Sequence, residues 1–174
     1  MRVLFNLFFI GSLTTVQAQY YYIKALTTPA YEFEANIIMI FNDNSARIEK
    51  GIYNSNLNKV IVTNANGEKN EYGPQDLKEI TLMFGSSGKR HKAISTNGVF
   101  LFKNISGQIN AYSTTPSKYK KNIIAIQLES GPIVELTKTN LEQMMPDKDK
   151  ELNRLINSND LIGAVKYYNK KAHK

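Results

Sequence analysis

Lys59-Val60-Ile61-Val62-Thr63 runs into Asn64-Ala65-Asn66-Gly67 and out again as Glu68-Lys69-Asn70-Glu71-Tyr72. A short β-branched run, a turn signal and a second run describe a β-hairpin, and Asn66-Gly67 readily takes the positive φ that a tight reversal demands. The same grammar extends in both directions. Upstream, Tyr31 to Phe41 alternates aromatic and acidic residues before a β-branched run, and Asn42-Asp43-Asn44-Ser45 closes it. This reads as a strand that becomes buried on both faces. Arg47 to Tyr53 is the next strand, with Gly51 inside it as a candidate bulge. Downstream, Gly73-Pro74-Gln75-Asp76 breaks the pattern through one helical turn, and strand character returns at Lys78–Phe84. Further strands are expected at Lys92–Thr96, Val99–Lys103, Gln108–Ser113, Ile123–Glu129 and Ile133–Leu136. Short strands with frequent turn signals argue an antiparallel sheet or barrel rather than βαβ units.

The pattern changes near Thr139. Thr139-Asn140-Leu141-Glu142 matches a capping box, Pro146 ends the helix it starts, and Asp147 caps a second piece carrying Leu152, Leu155 and Ile156. Ser158 or Asn159 caps the last helix, whose Leu161, Ile162, Val165 and Tyr168 form one apolar stripe. The expected class is mainly β, a β-rich α+β chain: an antiparallel sheet or partly open barrel with two or three short C-terminal helices. Residues 19–138 form the β-rich domain, and residues 139–174 form a helical segment packed on the same core.

Residues 1–18 read as an address. Met1-Arg2 supplies a positive charge, Val3 to Leu13 is mostly apolar, and Val16-Gln17-Ala18 offers small or aliphatic residues before a cleavage point at Gln19. That is the tripartite pattern of a secretory signal peptide. The apolar run is interrupted by Asn6 and falls short of the roughly 20 residues a membrane anchor needs. Export to the periplasm or the extracellular space is expected, with no transmembrane segment left after cleavage. The full chain has 174 residues and carries 22 Lys plus Arg against 15 Asp plus Glu, a formal charge of +7. Loss of Arg2 leaves +6 on 156 residues, a size at which one core suffices. There is no Cys, which excludes a disulfide scaffold, a thiolate zinc site, an Fe–S cluster and a catalytic thiol. In an exported protein it also points to a bacterial envelope, because exported eukaryotic domains of this size usually carry disulfides.

Catalytic constellations are missing. Gly85-Ser86-Ser87-Gly88-Lys89 has its glycines too close for a phosphate loop and Arg90 where a hydroxyl is needed. No G-x-S-x-G elbow and no H-E-x-x-H occurs, and the two histidines are His91 and the penultimate His173. Asp147-Lys148-Asp149-Lys150-Glu151 lacks the glycine of a calcium loop. No catalytic, cofactor-binding or metal-binding residue is assigned and no cofactor is expected. Glu32 and Glu34 share a strand face, which is more often a solvated stripe than a glycosidase pair. The positive charge gathers at Lys89-Arg90-His91-Lys92, at Lys118, Lys120 and Lys121, and at Lys166, Lys170, Lys171 and Lys174. The first two groups are the candidate contact surface for acidic glycan or lipid headgroups. The plainer reading of Lys89–Lys92 is a solvated basic strand edge. No nucleic-acid motif accompanies these charges, so no nucleic-acid partner is expected.

Lys50-Gly51-Ile52-Tyr53, Asn58–Val62, Glu71–Ile80, Phe100–Phe102, Ser106–Tyr112, Leu136–Leu141 and Tyr168-Asn169 together cover most of the mature chain. In these stretches the sequence resembles short exported proteins of the Bacteroidetes, in which a G-x-I strand leads to a Y-x-P-x-D-I turn. Here Gly73 stands before Pro74 and alters that turn. The resemblance implies export and a β-domain followed by helices, and it transfers no catalytic residue. The function expected first is a non-enzymatic binding or envelope-associated module, whose partner is an envelope protein or an acidic glycan. A hydrolase using paired carboxylates and a basic surface adhering to acidic glycan or lipid are the alternatives.

Overall fold

Alternating burial organises β-structure from the first described strand: Ala35, Ile37 and Met39 are buried, while Asn36 between them and Glu34 before them are exposed. The computed structural model describes residues 31–85, 89–116 and 123–172. The expected signal peptide, residues 1–18, lies outside them. Among the described residues strand accounts for 49% and helix for 20%, so the fold is mainly β. The strands are β1 (Glu32–Phe41), β2 (Ala46–Asn54), β3 (Lys59–Thr63), β4 (Lys69–Tyr72), β5 (Leu77–Phe84), β6 (Lys89–Thr96), β7 (Val99–Ile105), β8 (Ile109–Ser113), β9 (Ile123–Leu128) and β10 (Ile133–Glu135). Three short helices follow: α1 (Lys138–Met144), α2 (Lys150–Asn157) and α3 (Leu161–Ala172). Two compact units divide the chain inside β7, Met1–Phe102 and Lys103–Lys174.

In the first unit the hydrogen-bonded order is β7-β6-β5-β1-β2-β3-β4, antiparallel throughout. One face carries Ile37 opposite Leu82 and Met39 opposite Ile80, all fully buried. That face is covered by the sheet itself. Tyr53 of β2 meets Phe102 of β7 with ring centroids 5.2 Å apart, and Phe100 at 6.1 Å, both edge-on. Four strand spacings separate β2 from β7, about 19 Å if the sheet were flat. The sheet therefore coils until its own inner face closes, the partly open barrel of the sequence-based expectation. Asn58, buried in the β2–β3 loop at φ 54°, fastens the closure. Its Nδ2 donates to the Gly98 carbonyl at 3.1 Å, and its Oδ1 accepts from the Phe100 N–H at 3.1 Å and the Tyr53 hydroxyl at 3.3 Å.

Two local expectations change. Gly51 pairs regularly with Ala35 and Val62, and the irregularity lies instead between Ile40 and Phe41 on β1. Glycine is needed at 51 for space, since a Cβ there would stand 2.7 Å from the Ile61 carbonyl oxygen and 2.7 Å from Val62 Cγ1. In the Asn64–Gly67 turn, only Gly67 takes a positive φ of the Asn66-Gly67 pair, because Asn64 Oδ1 holds the Asn66 and Glu68 amides and widens the loop. The two-residue reversal with both residues at positive φ occurs at Asn97-Gly98, between paired Thr96 and Val99.

The second unit pairs β10-β9-β8 antiparallel with the last residues of β7 beside β8. Helices cover this sheet: Ile109, Ala111 and Ile126 pack with Leu141, Leu152 and Val165. Each helix starts later or earlier than its sequence-based cap. Thr137, not Thr139, caps α1, because its extended backbone lets the hydroxyl accept from the Asn140 N–H at 3.1 Å. Asp149, not Asp147, caps α2 through the Leu152 N–H at 2.9 Å. Ser158 closes the end of α2, leaving Asp160 to take the Gly163 N–H at 3.0 Å at the start of α3. The amphipathic stripe of α3 buries Ile162 and Val165, and one polar residue is buried with them. Asn169 accepts from the Ile109 N–H and donates to the Ile109 carbonyl, each at 2.8 Å. Gly107 makes room for it, since a Cβ there would lie 2.4 Å from the Asn169 carboxamide.

Candidate functional site

β2 carries its side chains opposite to the order its own sequence suggests. Ile48 and Ile52 face outward with Lys50, while Arg47, Glu49 and Gly51 share the inward parity of Tyr53. Burying Tyr53 against Phe33, stacked at 6.3 Å, sets this register, and a one-residue slip would expel Tyr53 from the core. Arg47 remains tolerable inward because it lies near the strand end, with its guanidinium over the Phe41 ring at 5.2 Å. The cost is an aliphatic strip on the outer face. Ile48 is 66% exposed and stands opposite half-buried Ile38, while Ile52 stands opposite Ile61 of β3.

Around the Ile52–Ile61 pair lies a groove of about 490 Å³, bounded by Glu32 and Glu34 on β1, Lys50 on β2, Thr63 on β3 and Lys69 on β4. Most charges here are already matched. Lys50 bonds Glu34 at 2.9 Å and Lys59 bonds Glu71 at 2.7 Å. Glu32 accepts from Asn54 Nδ2 at 3.0 Å. The hydrogen bond and charge of Lys50 hold the Glu34 carboxyl below its ordinary range, and Glu34 raises the Lys50 ammonium in turn. A general acid needs the opposite displacement. The groove thus brings the two sequence-level carboxylates together, but fixes one of them as an ion.

The basic candidates on β6 do not share one face. Lys89, Arg90, His91 and Lys92 all lie on β6, where Lys89–Ile94 pairs with β5 and Ala93–Thr96 with β7, so the paired register of the basic run is on the β5 side. Lys89 and His91 share the face of buried Ala93, where His91 meets Phe84 edge-on at 5.5 Å. Arg90 and Lys92 point the other way, and Lys92 pairs with Glu79. Lys118, Lys120 and Lys121 lie outside the described residues, as do His173 and Lys174. In the second unit Lys171 bonds Asp149, which also accepts from the Tyr167 hydroxyl at 2.9 Å. The Leu152 amide first, then Lys171 and Tyr167, lower the Asp149 carboxyl to about 2. Tyr167, Tyr168, Leu152 and Gln108 line a smaller hollow of about 190 Å³ beside it. Among the described residues, no group of three or more His, Cys, Asp or Glu side chains is placed to hold a metal ion. No helix among them is long and apolar enough to cross a membrane.

Sequence reasoning missed Ile48, Ile52 and Ile61 as surface residues. A signal was present in the alternation of Ala46-Arg47-Ile48-Glu49-Lys50-Gly51-Ile52-Tyr53, which offers an apolar residue to both faces. Comparison with known proteins adds nothing to the geometry: no family model, no curated protein and no solved structure matches the chain.

Proposed function

We propose that this chain is an exported, non-enzymatic binding module that engages an envelope protein through the outer face of the first unit. The observation that carries the reading is the aliphatic strip, Ile48 and the Ile52–Ile61 pair, lying open on that face inside a frame of charges. An apolar centre with a polar rim is how protein partners are gripped. Export rests on the pattern of residues 1–18 and on the resemblance to short exported Bacteroidetes proteins. An acidic glycan is the less supported partner. The groove is floored by isoleucine rather than an aromatic ring, and its acids Glu32, Glu34 and Glu71 balance Lys50, Lys59 and Lys69. A basic adhesive surface has equally little support, because Arg90 and Lys92 leave β6 on the face opposite Lys89 and His91. The hydrolase alternative has one observation in its favour, Glu32 and Glu34 at one groove, and the ionised state of Glu34 against it.

A photo-crosslinking side chain placed at Ile52 in the full chain, expressed in an exporting cell, is expected to give a discrete protein adduct. The same probe at exposed Asn157 serves as control. Equal adducts from both positions, or none from Ile52, would sink the reading.

A further inference from the structure

We infer that the groove takes a short peptide with free termini, three or four residues long, its ammonium on Glu32 and its carboxylate on Lys69. This rests on the reading of the outer face as a binding surface and goes beyond it, adding a second ligand class that competes with the protein partner for the same groove. The argument begins with charge. Glu34 and Lys50 neutralise each other, as do Lys59 and Glu71. What remains among the described residues is Glu32 on β1, which accepts from the Asn54 amide and pairs with no cation there, and Lys69 on β4, which has no ion-pair partner there either. An unmatched acid and an unmatched base therefore stand at opposite corners of one groove, with Ile52 and Ile61 between them.

Length follows from the ladder. From β1 to β4 is three strand spacings, about 14 Å, and the pairing places Lys69 four residues further along the strands than Glu32, about 13 Å. The corner-to-corner diagonal is thus about 19 Å between backbones. Strand side chains stand roughly perpendicular to the sheet, so the charged ends lie about as far apart as the backbones, and an ion-pair contact of about 3 Å at each end leaves about 13 Å. Extended peptide covers about 3.3–3.6 Å per residue, so three or four residues fill the gap. A central aliphatic side chain then lies on the isoleucine pair, which supplies the apolar contact that two exposed ion pairs cannot. The matched charges around it disfavour longer polyionic ligands, since neither sign is in excess.

The test uses the ¹⁵N-labelled full chain and the tetrapeptide Ala-Leu-Leu-Ala with free, N-acetylated or C-amidated termini. Saturable shifts are expected at amides of β1–β4. Each blocked terminus should weaken binding about two- to fivefold, the worth of an exposed ion pair. Acetylation should have no further effect in the Glu32→Gln protein, nor amidation in Lys69→Met, and crossing the pairs should restore both losses. Blocked peptides binding as well as the free one would overturn the inference, and so would shifts confined to other strands or no saturation below about 10 mM. If position 52 still crosslinks a protein while the peptide fails, the ligand class falls and the binding module stands. If both fail, so does the module.

Discussion

In the first unit a sheet is covered by itself, and in the second a smaller sheet is covered by helices, yet each covering is fastened by one buried asparagine. Asn58 joins a loop to the backbone of a strand four places away in the sheet, and Asn169 joins α3 to both backbone groups of Ile109. The two clasps answer the same problem. Apolar packing holds surfaces together without fixing their register, whereas a carboxamide has one donor side and one acceptor side and fits a single place. They differ in what they leave behind when removed. Ile109 is fully buried, so both its amide and its carbonyl would be orphaned. Asn58 holds one buried backbone amide, that of Phe100, and shares the buried Tyr53 hydroxyl, while the carbonyl of exposed Gly98 can turn to water, so its loss orphans one backbone group instead of two.

Asn169→Ala should therefore be the more damaging substitution, costing about 3 kcal/mol against about 2 kcal/mol for Asn58→Gly. Glycine is the right probe at 58 because it accepts φ 54° without strain and so isolates the lost side chain. Urea denaturation measures the totals. Amide exchange localises them, with faster exchange expected in β8 and α3 for the first variant and at β7 for the second. Equal losses with the same exchange pattern would mean that the two clasps are not separate devices.

A smaller effect, confined to acid, belongs to the second unit. Asp149 caps α2 and ties Tyr167 and Lys171 of α3 to it, and its carboxyl is lowered from 3.8 to about 2. A carboxyl more acidic in the folded state stabilises fully above its ordinary value and loses that contribution as pH falls through 4 toward 2. The urea midpoint of the wild type should exceed that of Asp149→Asn at pH 7, and the two should converge near pH 2. A gap that persists unchanged at pH 2 would show that the cap matters through shape rather than charge. The smallest effect is expected in the first unit. Lys50→Met removes the pair with Glu34, whose side chains are 75% and 67% exposed, and should leave the midpoint unchanged at moderate salt. A clear loss would instead make the outer charge frame part of what holds the sheet.

Much of this was legible in the chain. The hairpin at Lys59–Tyr72, the strand order of turns and runs, the stripe on α3 and the mainly β class follow from local periodicity. The caps slipped by one or two residues because Thr137, Asp149 and Asp160 stand near Thr139, Asp147 and Asn159, and only the backbone angle at each decides which side chain reaches an amide. The candidate site was legible only in part. Glu32 and Glu34 could be placed on one face by their spacing, but that Lys89–Lys92 lie against β5 while only Ala93–Thr96 reach β7 could not be read, because strand neighbours are not written in sequence. The change at Thr139 marks where strands give way to helices, whereas compactness divides the chain at Lys103.

The sequence by itself determined which segments extend and which coil, where the chain turns, and which chemistries lack their residues. These are properties of neighbours along the chain, fixed by φ/ψ preference, side-chain period and composition. Tertiary structure alone decided which face of β2 is buried. It also decided that Asn58 and Asn169 are clasps rather than loop and surface residues, and that, among the described residues, one acid and one base stand without an ion-pair partner across an isoleucine floor. Each of these depends on pairing between strands distant in the chain, where a shift of one residue exchanges inside for outside.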